Sequence, residues 1–180
     1  MVRLLKEYQL SFDWRGFELH PETPEGGIEM SRRFGARAEQ MRDRITQFAA
    51  SFGVHDLNHP ERLPNTRRAL AIGELARDRG LLHPYRESAM QAHWRDGMDL
   101  EKDKDLAAIA RRAGLDPGEA LAASRDPAYL KRIDAIREEA HALGVDGIPT
   151  FVFSGDTAVV GCQPYPILAG AAEEAGAQKK

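Results

Sequence analysis

Apolar residues in the middle of this chain recur every three or four positions, and the rhythm changes at both ends. Met30, Phe34, Ala38, Met41, Ile45, Phe48 and Phe52 form one stripe opposite Arg32, Arg33, Arg37, Glu39 and Arg42. That spacing predicts an amphipathic helix whose aromatic side chains enter the core, with Gly53 as its stop. After a loop over 55–64, Asn65 or Thr66 can cap a helix carrying Leu70, Ile72, Leu75 and Ala76 and ending at Gly80. Further helices are predicted over 84–94 and 99–113. Asp116-Pro117 and Asp126-Pro127 each place a capping carboxylate before a proline at the first helical position. The second pair opens a long helix that Gly144 closes.

The ends read differently. Leu4, Leu5 and Tyr8 sit at helical spacing, after which Leu10, Phe12 and Trp14 alternate with Ser11, Asp13 and Arg15. The alternation predicts a strand over 10–17 packed on one face. Pro21, Pro24 and Gly26-Gly27 then bar immediate continuation of either element. Near the C-terminus, 150–153 and 157–160 are two β-prone runs around Ser154-Gly155-Asp156, the pattern of a hairpin. Pro164 and Pro166 introduce a closing helix over 167–175, followed by a tail expected to be solvated. Strand, helices, hairpin, helix is the order of an α/β domain carrying an all-helical insertion.

Composition narrows the function. Among 180 residues, 25 Lys and Arg stand against 28 Asp and Glu, a net charge of −3, so the chain offers no electrostatic footprint for nucleic acid. No apolar run reaches the length of a membrane span, and no leader precedes Met1 in this sequence, so a cytoplasmic protein is expected. The single cysteine, Cys162, excludes an intramolecular disulfide or a CxxC centre within this chain. It reads as a small buried apolar residue between Gly161 and Gln163. His55 and His59 are four apart, a spacing that would suit a metal on a helix, but Asp56, Asn58 and Pro60 make a solvated loop the better reading. Adjacent carboxylates at Glu138-Glu139 and Glu173-Glu174 point away from each other on a helix, which does not suit acid/base pairing.

The most specific segment is Gly144-Val145-Asp146-Gly147-Ile148-Pro149-Thr150-Phe151, followed by Gly161-Cys162-Gln163-Pro164. It resembles the end of a DsbA-family thioredoxin-like domain. Trp14-Arg15, Phe17-Glu18-Leu19, Leu63-Pro64-Asn65-Thr66-Arg67, Gly97-Met98-Asp99-Leu100 and Ala113-Gly114-Leu115-Asp116 are similar to its FrnE-like branch. The resemblance implies a thioredoxin-like core over 1–27 and 144–180, with a helical insertion over 28–143. It also implies a cis peptide between Ile148 and Pro149, where Gly147, Ile148, Pro149 and Thr150 would offer backbone groups to an extended polypeptide. Read without the motif, Pro149 could simply start a strand.

The family's chemistry resides in a CxxC pair between its first core strand and first helix. This chain holds neither cysteine and opens in what resembles the last turns of that helix. About twenty residues of the family pattern are therefore absent, and the core is expected to be N-terminally truncated. The chain as given has no catalytic residue for dithiol–disulfide exchange, and the resemblance implies no metal or dissociable cofactor. Three resolutions are open: the natural gene starts upstream and this is a fragment, the flanking strands close up directly, or a second copy covers the gap, the exposed edges favouring homodimerisation. The 2-hydroxychromene-2-carboxylate isomerases and kappa-type glutathione transferases share the scaffold. Their hairpin usually ends near Gly-x-Asp-Arg, unlike Gly161-Cys162-Gln163-Pro164. A non-catalytic peptide-binding module is the third reading.

Overall fold

The computed structural model describes residues 2–154 and 157–180. Among these, two compact units separate: 1–19 with 136–180, and 20–135.

The 20–135 unit is helical. It contains β1 (Ile28–Glu29), α2 (Met30–Phe34), α3 (Arg37–Ala50), β2 (Arg62–Leu63), α4 (Arg67–Asp78), α5 (Leu82–Trp94), α6 (Asp103–Arg112) and α7 (Pro117–Ala123). Its core joins α4, α5, α6 and α7 through Ile72, Leu75, Ala92, Leu106, Ile109 and Ala120, all essentially inaccessible. At roughly 1.5–3 kcal/mol for each fully buried large aliphatic side chain, this cluster is the main source of cohesion in the unit. Two buried hydroxyls are satisfied within the core: that of Tyr85 donates to the Ala69 carbonyl at 2.8 Å, and that of Ser88 donates to the Ile109 carbonyl at 2.9 Å. Asn65 is the side chain that caps α4, its Oδ1 accepting from the Arg67 N–H at 3.0 Å. Asp116 accepts from the Glu119 N–H at 2.8 Å.

The predicted helix through 30–52 is interrupted. Gly35, at φ +56°, separates α2 from α3. The expectation that its aromatic residues are core also fails for Phe48 and Phe52, which are 51% and 64% exposed. A helical stripe records which face could be buried; here no neighbouring element is packed over that part of it. The two-residue pairing of Ile28 with Leu63 and Glu29 with Arg62 is too short to have left a periodic signal.

The other unit contains α1 (Val2–Glu7), β3 (Thr150–Val152), β4 (Ala158–Val160) and α9 (Tyr165–Glu174). α8 (Pro127–Ala142) contributes residues 127–135 to one unit and 136–142 to the other. Asp126 accepts from the Ala128 N–H at 2.8 Å, as the Asp-Pro signal predicts. Leu4, Tyr8, Val159, Leu168 and Ala172 form the core, with Leu10, Phe12, Phe151 and Phe153 packed against it. Of the predicted turn, Gly155 and Asp156 lie outside the described residues.

One expectation is corrected here. The segment 10–17 alternates between part-buried and exposed positions as predicted, yet it forms no strand. One-sided burial produces the alternation, but a strand also needs a hydrogen-bonded neighbour, and among the described residues the only bridge nearby is Tyr8 with Lys179. That bridge draws in the C-terminal tail: Gln9 donates to the Gln178 carbonyl at 2.8 Å and Lys180 donates to the Glu7 carbonyl at 2.9 Å. The tail's side chains are exposed, as expected, while its backbone is tied to the chain.

Among the described residues, no helix is long and apolar enough to cross a membrane. The result is a helix-dominated α/β fold with two small antiparallel sheets.

Candidate functional site

Gly144, at φ +71°, ends α8 in a conformation that side-chain-bearing residues rarely adopt, and turns the chain toward the bend at 147–150. The Ile148–Pro149 peptide bond is cis. Thr150 Oγ1 donates to the Gly147 carbonyl at 2.7 Å, closing the bend across its own base. The Gly161 N–H donates to the Pro149 carbonyl at 2.7 Å, so the bend is held to the far end of β4. Gly147, Ile148 and Pro149 therefore lie on one loop and Thr150 opens β3, with Ile148 51% exposed.

The ladder determines which backbone groups are left for a ligand. β3 and β4 pair antiparallel, with Thr150 opposite Val160, Phe151 opposite Val159 and Val152 opposite Ala158. Hydrogen-bonded and non-hydrogen-bonded pairs alternate along such a ladder. The bonds from Gly161 to Pro149 and from Phe153 to Thr157 (2.9 Å) place 149, 151 and 153 in the hydrogen-bonded pairs. Thr150 and Val152 must then direct their N–H and C=O groups away from β4. Among the described residues no strand pairs with that edge, and the Ile148 N–H and C=O have no hydrogen-bond partner. Ile148, Thr150 and Val152 thus present an open row of main-chain donors and acceptors, the arrangement that takes up an added strand.

Val152 and Cys162 were not identified as site residues from sequence. Val152 shares the alternation of Ile148 and Thr150, but which of the two alternate sets faces outward is decided by the ladder and not by the sequence. Cys162 was expected to be buried, but its side chain is exposed. It follows Gly161, the residue bonded to the bend, so its thiol lies at the solvent-facing end of the hairpin. Residue type gives only an average tendency to burial.

An ionic cluster fixes the helices of this unit. The Glu7 carboxylate accepts from Arg3 Nε at 2.7 Å and from the Tyr165 hydroxyl, and these bonds hold it below the usual carboxylate range. Burial, then the bond to Glu7, pushes the Tyr165 hydroxyl up to about 12. Tyr8 donates to Glu173 at 2.5 Å, and Lys179 is 3.0 Å from the same carboxylate. These groups are paired with one another and hold α1, α9 and the tail together. His59, in its loop, is 2.8 Å from Thr46 Oγ1. Among the described residues no group of three or more His, Cys, Asp or Glu is placed to hold a metal.

No curated protein matches the chain significantly. Solved structures do, two of them as follows. A probable DsbA oxidoreductase from Streptomyces coelicolor shares 27% identity at a TM-score of 0.77, over 90% of this chain and 74% of that one. A 2-hydroxychromene-2-carboxylate isomerase superposes at a TM-score of 0.70 over 96% of this chain and 85% of that one. Its 18% identity speaks for the fold alone. The family model for the DSBA-like thioredoxin domain matches residues 1–173. With the helical unit, the hairpin and the bend before it, the chain belongs to the DSBA-like thioredoxin domain family.

Proposed function

We propose that this chain is a polypeptide-binding member of the DsbA-like family, of the FrnE type, which docks extended segments on the open edge at Ile148, Thr150 and Val152. The observation that carries the reading is the outward direction of these main-chain groups beside an exposed Ile148. An extended guest would exchange N–H···O=C bonds with Ile148 and Val152, while its side chains met the faces of the hairpin. Main-chain bonds supply sequence-tolerant affinity, as suits a protein that handles many polypeptides. The chain contributes one thiol, Cys162, so dithiol exchange by the family's CxxC route is not carried out by its own residues.

The test is Val152→Pro. Proline lacks the N–H and fits an edge position, and the Val152 N–H takes no part in the β3–β4 ladder, so the hairpin persists while the docking edge loses a donor. Affinity for a reduced, unfolded polypeptide should fall about tenfold, by loss of one hydrogen bond and obstruction by the ring. Unchanged affinity refutes the reading. A glutathione-dependent isomerase is the second reading, since the fold is shared with 2-hydroxychromene-2-carboxylate isomerase. Retention on immobilised glutathione, with no polypeptide binding, would select it.

A further inference from the structure

Independently of the bend, the 20–135 unit carries an exposed seam on α3. Its apolar positions follow a heptad spacing of three and four: Ala38, Met41, Ile45, Phe48 and Phe52. Ala38 is buried within the unit, and on the other side of the helix Thr46 meets His59. Met41 and Ile45 are only part-buried, and Phe48 and Phe52 are mostly exposed, their rings edge to face at 5.1 Å. Two phenylalanines so exposed, on the helix and on the turn that follows it, form a surface that water disfavours.

Charge identifies what covers it. In the heptad frame, Arg37 and Arg44 occupy the row bordering the seam on its solvent side. Both are exposed, and neither forms an ion pair with a described residue. Residues in such rows select helical partners by interhelical ion pairs. A second copy does not answer: its own bordering rows hold Arg37, Arg44 and Ser51 on one side and Arg42 and Ala49 on the other, with no carboxylate. A lipid surface fits less well, because the outer face of α3 carries Glu39 and Asp43 where a membrane-lying helix would be basic.

We infer that the Met41–Phe52 seam is a docking surface for an acidic amphipathic helix of another protein, with its apolar stripe on Phe48 and Phe52 and its bordering carboxylates on Arg37 and Arg44. The probes are two designed helical peptides of about 20 residues, long enough to hold helix, with leucine at the seam positions. One is bordered by glutamate and the other by lysine. The glutamate peptide should bind, the lysine peptide about tenfold more weakly or not at all. F48S/F52S, at exposed positions, should lose about tenfold in affinity for the glutamate peptide, and R37E/R44E should prefer the lysine peptide. Circular dichroism confirms that each variant is folded.

The inference is overturned if both peptides bind equally, if neither binds, or if the R37E/R44E variant keeps the wild-type preference. It is also overturned if a dimer that F48S/F52S abolishes occupies the seam, or if phosphatidylserine vesicles bind the seam and the glutamate peptide does not.

Discussion

Glu101 tests how the helical unit holds its entry segment. Its Oε2 accepts from the Gly26 N–H at 2.7 Å and its Oε1 from the Asn65 N–H at 2.9 Å. One carboxylate thereby joins the start of β1 to the cap of α4. Asn65 in turn caps the Arg67 N–H and donates from Nδ2 to the Thr23 carbonyl at 2.7 Å. A hydrogen bond to a charged acceptor contributes about 1.5–3 kcal/mol. The bond to Gly26 is exposed and counts for about 0.5–1 kcal/mol of that scale, whereas the bond to Asn65 is part-buried. Glu101→Ala should therefore cost about 2–3 kcal/mol, and Glu101→Gln, which keeps one carbonyl oxygen, about half as much. Urea denaturation measures the loss, and a fall in Tm of about 5–10 °C should accompany the alanine variant. Amide exchange at Gly26 and Asn65 should accelerate. A cost below about 0.5 kcal/mol in Glu101→Ala, with exchange unchanged at both amides, refutes the reasoning.

Other outcomes follow from the same contacts. Ile109→Ala should destabilise the helical unit by about 3 kcal/mol, because Ile109 is fully buried, while Met90→Ala, exposed on α5, should change stability by less than about 0.5 kcal/mol in the same denaturation series. Gly27→Ala should weaken the β1–β2 pairing, since a Cβ there would stand 2.6 Å from the Leu63 carbonyl oxygen at a φ of +68°; faster exchange of the Met30 amide reports it. The Tyr165 hydroxyl, raised to about 12, stabilises the unit fully below its unfolded value near 10 and ceases to do so as pH rises through 12. Tyr165→Phe should abolish that alkaline step in circular dichroism. Glu7 and Glu173, both depressed, act in the opposite sense: their contribution is present above the ordinary carboxylate range and disappears as pH falls through their lowered values. Arg3→Gln should move the Glu7 carboxyl upward in an NMR titration.

What the sequence made legible was local. The Asp-Pro pairs at 116–117 and 126–127 are caps in the structure, because a carboxylate and a proline act within one turn of the residues that name them. The glycines at 53, 80, 114 and 144 all have positive φ, as helix stops require. The bend at 147–150 was legible as a motif and not as periodicity. The misreadings share a cause: a pattern reports a tendency to be buried or extended, not the presence of a neighbour. Segment 10–17 has the right alternation but no ladder partner, and Phe48 and Phe52 have the right spacing but nothing packed over them. Cys162 was assigned by residue type, which averages over positions and missed an exposed hairpin end. The direction of the open edge was beyond sequence altogether, because it depends on which alternate pairs of the ladder are bonded.

That direction is the point most directly open to measurement. In an amide-resolved NMR titration with a reduced, unfolded polypeptide, the account predicts that the N–H signals of Ile148, Thr150 and Val152 shift and gain protection from exchange. Those of Phe151 and Phe153, already bonded within the hairpin, should change little. Protection appearing on Phe151 and Phe153 instead, or spread evenly along β3 and β4, would contradict it.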